Sequence, residues 1–198
     1  MIALCPVLEF SPASSKAATP GSVMKSAGCT MKYKVAVIII SDRCAHGERQ
    51  DECLPEFQRS LASGRFEFSH SRIVSDEIPA ISHAVQEAID SGCHLIFSSG
   101  GTGCAPRDVT PEAVRPMLDK LTPGIDEAIR AFSLTRNQNT IFSRGISGIA
   151  KQSFVICLPG SPKAVAEILS FLVPMLEHPL ALLTNQIADC HRPEVSGD

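Results

Sequence analysis

The residues that invite chemistry first are Gly100-Gly101-Thr102-Gly103, which follow the short apolar run His94 to Ser98. Glycines reach backbone angles closed to other residues, so successive amides of such a loop can turn toward one anion, and the Thr102 hydroxyl adds a donor. A tight turn needs the same residues, and alone the tetrapeptide leaves both readings open. It is neither a P-loop nor a dinucleotide fingerprint, since no G-K-[ST] and no G-x-G-x-x-G follows. Asp42, Asp76 and Asp108 stand at or just beyond strand ends, where carboxylates can hold magnesium against nucleotide phosphates. Asp42 serves equally as a turn residue, and Asp108 as the surface partner of Arg107. Ser161 and Lys163 open a helix, whose free amides and dipole favour an anion; a capped helix with a solvated lysine has the same signature. Ser143 and Arg144 could grip a phosphate or lie exposed. The histidines at 70, 83, 94 and 178 fall on different elements and assemble neither a zinc site nor a nucleophilic triad, and no Gly-x-Ser-x-Gly elbow is present.

The elements that must position these groups alternate. Val35 to Ile40 is a β-branched run suited to a strand covered on both faces. Leu54, Phe57, Gln58 and Leu61 recur at helical spacing until Gly64 closes the segment, and Phe66 to Val74 alternates as a second strand. Ile81, Ala84, Val85, Ala88 and Ile89 share one helical face, and His94 to Ser98 is a further strand. Thr110-Pro111-Glu112 reads as a helix start with Thr110 as cap, and another helix follows Thr122-Pro123. Ser143 to Lys151 reads as a turn between short strands, and Ser153 to Leu158 as a buried strand. Ser161 then caps a helix expected to end near Glu177-His178, before Pro179. Strands alternating with helices predict an α/β fold, a three-layer doubly wound and mainly parallel sheet flanked by helices. In such sheets ligands sit beyond the carboxyl ends of the strands, so the loops at Ser41, Gly100 and Gly160 are expected to form one crevice.

With 198 residues, 44% of them hydrophobic and 20% charged, the chain suits a single domain with a full core. A net charge of -3 provides no positive field for nucleic acid or an anionic membrane, and no uninterrupted apolar stretch approaches bilayer length. Neither partner is expected. The eight cysteines form no C-x-x-C pair; Cys93 and Cys157, beside apolar runs, read as small buried hydrophobes in a reducing cytoplasm. The expected organisation is a poorly ordered extension over 1–33, a domain over 34–187 and a flexible tail over 188–198. The extension lacks the basic start of a secretory signal and suits a disordered tail, or a start at Met24 or Met31, better than a transit peptide.

Five motifs in order carry a resemblance: Ile40-Ser41-Asp42-Arg43; Ser99 to Gly103; Pro106-Arg107-Asp108-Val109-Thr110-Pro111-Glu112; Phe142-Ser143-Arg144-Gly145; and Leu158-Pro159-Gly160-Ser161-Pro162-Lys163. From about Lys34 to Leu183 the chain resembles the MogA/MoaB family of molybdopterin adenylyltransferases, which includes the N-terminal domain of gephyrin. The resemblance implies a cytoplasmic homo-oligomer, a trimer or in some members a hexamer, that transfers AMP from Mg-ATP to the terminal phosphate of molybdopterin and releases pyrophosphate. It implies that Gly100, Gly101, Thr102 and Gly103 hold the pterin phosphate. Asp76 and Asp108 match the two aspartates the family needs for activity, and are expected to bind or orient Mg2+. Asp42 matches the acidic residue of the first loop, with Ser41 beside it, while Ser143, Arg144, Gly160, Ser161 and Lys163 would line the rest of the pocket. Two positions depart: Leu54 stands where a glycine is usual, and Ser75 where a proline is usual. Leu54 is what supports the alternative of a non-catalytic, MoaB-like pterin-binding or scaffold protein. A related activity on nicotinamide nucleotides fits the intact Gly-Gly-Thr-Gly and Pro-Arg-Asp-Val-Thr-Pro motifs less well.

Overall fold

The computed structural model describes residues 32–62 and 65–185. The expectations for 1–31, for 186–198 and for Gly64 as a helix stop lie outside the described residues. The order of elements is β1 (Tyr33–Ile40), α1 (Asp42–Ala45), α2 (Cys53–Ser60), β2 (Phe66–Val74), α3 (Ile78–Asp90), β3 (Leu95–Ser99), α4 (Thr110–Val114), β4 (Lys120–Leu121), α5 (Pro123–Leu134), β5 (Ser147–Ala150), β6 (Ser153–Leu158) and α6 (Pro162–Leu183). Single 3₁₀ turns follow α4 at Arg115–Met117 and α5 at Gln138–Phe142.

The strands form one six-stranded sheet in the order β2-β1-β3-β6-β5-β4. β2, β1, β3 and β6 are parallel, and β5 runs antiparallel to both β6 and β4. β1 explains its own unbroken apolar sequence. Tyr33, Val35, Val37 and Ile39 point into a core shared with α2, α5 and α6, while Ala36, Ile38 and Ile40 point into a second core shared with α3 and α4. A strand covered on both faces has no position left for a polar residue. Tyr33, fully buried, belongs to the fold, which therefore starts one residue before Lys34. β2 forms the sheet edge and carries Glu67, His70 and Arg72, charged or polar groups that suit a strand with one unpaired side. Cys93 and Cys157 are buried, and Cys44, Cys53, Cys93, Cys104 and Cys157 are all free thiols.

Four local expectations are corrected. The loop after β1 contains a one-turn helix, α1, with Ser41 as its N-cap. Ser147–Ala150, expected as part of a turn, is a strand, because Lys151 adopts a φ of 53° and reverses the chain into β6. Thr110 does not cap α4: Val109 occupies that place, and the Thr110 hydroxyl donates instead to Gly100 O at 2.8 Å. Finally, α6 does not stop before Pro179 but runs through both Pro174 and Pro179 to Leu183. An interior proline costs about 3 kcal/mol. Beyond Pro174 the helix buries Leu176 and Leu180 almost completely, and each such side chain contributes about 1.5–3 kcal/mol, enough to offset a broken ladder. By length and composition α6 could cross a membrane, yet its stripe of Val165, Ile168, Leu169, Leu172, Leu176 and Leu180 lies inside the core.

Candidate active site

Because β2, β1, β3 and β6 are adjacent and parallel, the loops leaving their carboxyl ends meet on one rim of the sheet. The strand order reverses about β1 and β3, the position where open α/β sheets part their loops and leave a crevice. A cavity of about 980 Å³ occupies that rim. Its walls include Ser41 and Asp42 after β1, Asp76 after β2, Gly100 to Gly103 and Asp108 after β3, and Gly160 and Ser161 after β6. Ser143 joins them from the segment before β5. Two expected ligands stay out of the wall: Lys163 is exposed on the first turn of α6, and Arg144 commits its side chain to Gly103 O and Glu112.

The geometry of the glycine loop follows from what seizes its carbonyls. Gly100 O accepts from the Thr110 hydroxyl, Gly101 O from the Thr110 amide at 3.1 Å, Thr102 O from the Arg144 amide at 2.9 Å, and Gly103 O from Arg144 Nε at 2.7 Å. With every carbonyl drawn into the protein, the amides turn the other way. Gly100 N donates to Leu158 O at 3.1 Å, whereas the amides of Gly101, Thr102 and Gly103 meet no acceptor among the described residues. Three consecutive unpaired donors in a cavity wall form a nest for an anion such as a phosphate. Gly100 needs to be glycine twice over, since its φ is +116° and a Cβ there would lie 2.1 Å from Ile40 O. Ser99 Oγ donates to Pro159 O at 3.0 Å, which ties this loop to the one after β6.

The acidic groups lie against the glycine loop, where a Cβ on Gly101 would be 3.3 Å from Asp76 Oδ1 and one on Gly103 2.8 Å from Asp108 Oδ2, and they hold one another. The Asp42 amide donates to Asp76 Oδ2 at 2.8 Å, and the Asp76 amide donates to Asp42 Oδ1 at 3.0 Å. Arg107 covers the outer side of Asp42 with contacts of 2.8–3.1 Å and reaches Glu77 at 2.5 Å. The Asp42 carboxyl is held below the usual aspartate range by the Asp76 amide and by Arg107. Asp76 is pushed the other way, first by burial and then by the negative charges of Asp42 and Asp108, against the pull of the Asp42 amide and Arg107. A desolvated carboxylate with anionic neighbours favours a cation. Asp108 Oδ2 accepts from the Ala105 amide at 2.8 Å, which fixes that carboxylate at the mouth of the loop. Among the described residues no group of three or more His, Cys, Asp or Glu side chains is placed to hold a metal by itself. Asp76 and Asp108 are a donor set of the kind magnesium uses, one or two carboxylates completed by water and substrate phosphates.

Sequence reasoning missed part of the cavity. Its wall also includes the apolar Ile129 and Ile168 and the polar Ser133, Asn137, Asn139 and Thr140. These residues belong to no motif, and only the packing of α5 on α6 brings them to the rim. Thr110, Arg107 and Glu112 lay inside a quoted motif, but their roles as braces could not be read from it. Leu54 is not part of the wall: it packs against the core formed with α6, so its bulk does not narrow the cavity.

A family profile described as "Probable molybdopterin binding domain" matches residues 36–178. The chain is 39% identical over 143 residues to the molybdopterin adenylyltransferase of Haemophilus influenzae, covering 71% of this chain and 73% of that protein. It is 37% identical over 140 residues to the molybdopterin adenylyltransferase of Escherichia coli K12, covering 69% and 71%. Among solved structures, the molybdopterin biosynthesis enzyme MoaB of Thermus thermophilus superposes with a TM-score of 0.73 at 39% identity, covering 77% of this chain and 97% of that one. The motifs, the rim cavity and these matches agree, and the chain belongs to the MogA/MoaB family of molybdopterin-binding proteins.

Proposed function

We propose that this protein is a molybdopterin adenylyltransferase of molybdenum-cofactor biosynthesis. An oxygen of the molybdopterin phosphate attacks the α-phosphorus of ATP, the bond from that phosphorus to the bridging oxygen of the β-phosphate breaks, and pyrophosphate leaves. The observation that carries the reading is a single cavity pairing three unpaired loop amides with an acidic cluster, at a volume near the upper end of small-molecule sites. The amides of Gly101, Thr102 and Gly103 suit the molybdopterin phosphate, and Ser161, the N-cap of α6, lies in the same cavity wall, where the helix end favours an anion.

The chain's own contribution is positioning. Two polyanions repel one another in solution, and fixed donors that hold both remove the cost of ordering them at the moment of reaction. Mg2+ would be held by Asp76 and Asp108 together with substrate phosphate oxygens, and supplies neutralising charge for the phosphates when bound. Neither aspartate acts as a nucleophile, so no covalent enzyme intermediate forms. The cytoplasmic location and the homotrimer both rest on the resemblance. The core-facing Leu54 removes the support for a non-catalytic scaffold.

The test is to incubate the protein with molybdopterin and α-labelled Mg-ATP. The expected result is label transferred to molybdopterin with one pyrophosphate released per transfer. Folded protein that binds molybdopterin yet releases no pyrophosphate would overturn the reading.

A further inference from the structure

We propose that Arg144 and Glu112 form a positioning pair that sets the direction of the phosphate nest, and that Arg144 holds no substrate itself. The donor edges of the Arg144 guanidinium are already engaged: Nε on Gly103 O at 2.7 Å, one terminal nitrogen on Asp108 O, and the other on the Glu112 carboxylate. Its own amide takes Thr102 O at 2.9 Å. One residue therefore fixes two consecutive carbonyls of the nest and the backbone of an aspartate assigned to the metal. Arg144 acts where a lysine could not, because the three contacts need a planar fork of donors pointing in different directions. Glu112, in the first turn of α4, holds the fork in orientation. Thr110, two residues earlier on the same helix, takes the other two carbonyls of the loop. Turning the Thr102–Gly103 peptide, whose carbonyl the Arg144 amide holds, would exchange the Gly103 donor in the cavity for an acceptor, which repels phosphate.

The activity readout rests on the adenylyltransferase reading; the structural readout does not. Three variants are compared with the wild type: Arg144→Lys, Glu112→Gln and the double substitution. The measurements are pyrophosphate release, titration with inorganic pyrophosphate as an anion probe, and NMR exchange of the Thr110 and Arg144 amides, which are bonded to the loop carbonyls. If the pair acts as one unit, each single variant loses turnover by about tenfold or more, and the double variant is no worse than Arg144→Lys alone. Exchange of the Thr110 and Arg144 amides quickens in all three variants while the thermal midpoint of Glu112→Gln stays near the wild type. A substrate-holding Arg144 gives the opposite result: freeing it from Glu112 leaves turnover and exchange unchanged or tightens the probe, and that outcome overturns the proposal. Should Arg144→Lys fail to fold, Glu112→Gln decides the matter alone. A wild type that releases no pyrophosphate sinks the reaction assignment, while amide exchange and the probe titration still decide the positioning pair.

Discussion

Asp42 and Asp76 cap each other: each main-chain amide donates to the other's carboxylate, at 2.8 Å and 3.0 Å, across the gap between the ends of β1 and β2. This reciprocal arrangement uses one oxygen of each side chain and locks two loops that are 34 residues apart in sequence. With Arg107 on Asp42, the carboxylate of this pair that faces the cavity under the lesser restraint is that of Asp76. Fold and chemistry are thus separable at this site, since the cap needs an oxygen acceptor and the chemistry needs a charge.

Asp76→Asn keeps an oxygen for the Asp42 amide and removes only the charge; Asp108→Asn likewise keeps an acceptor for Ala105. Each substitution is expected to lower pyrophosphate release by about two orders of magnitude or more, with molybdopterin affinity within a few-fold of wild type. Turnover and equilibrium binding measured on the same preparations decide this. Wild-type turnover in both variants would remove the aspartates from the mechanism.

Gly100→Ala and Gly160→Ala separate strain from displacement. At Gly100 a methyl would lie 2.1 Å from Ile40 O on a backbone of φ +116°, so a stability loss of about 3 kcal/mol or more is expected. At Gly160 the methyl would lie 3.2 Å from Gly100 Cα, a contact relieved by a shift of a few tenths of an ångström. That variant is expected to lose about 1 kcal/mol, and to lose turnover out of proportion because the shift falls on the nest. Urea midpoints set beside turnover rates check both; equal behaviour of the two variants would contradict the geometry.

Asp126 provides the pH test, away from the cavity. Its carboxylate accepts from the Ser147 amide at 3.1 Å, yet burial pushes its pKa above the ordinary aspartate value. The folded state therefore binds this proton more tightly than the unfolded chain does, so the group adds stability as pH falls through its folded pKa and costs stability above it. Asp126→Asn retains an oxygen for Ser147 without the buried charge. The substitution is expected to raise the urea midpoint at pH 7 and to flatten the dependence of stability on pH between neutrality and about pH 4. Unfolding curves that keep the wild-type pH dependence would show that Asp126 is better solvated than its burial implies.

The parallel strands were legible because two-sided burial leaves an unmistakable trace, as in Val35 to Ile40, and the α3 face was legible because one-sided burial leaves a 3.6-residue stripe. The end of α6 was misread because a local rule about proline was weighed without the burial of Leu176 and Leu180, which depends on where the rest of the chain sits. Thr110 was misread for a similar reason. Its type suited a helix cap, but an acceptor ten residues away, Gly100 O, won its hydroxyl.

From residue types and order alone came the α/β class, the glycine loop, the two aspartates and the family, since each of these is written in local pattern or in the succession of motifs. Only the folded chain decided that Arg144 braces the nest instead of lining it, that Leu54 faces the core, and that α5 and α6 supply part of the cavity wall. The physical reason is direction: a sequence states which donors and acceptors exist, but which of them are consumed inside the protein and which remain for a ligand depends on partners far away along the chain.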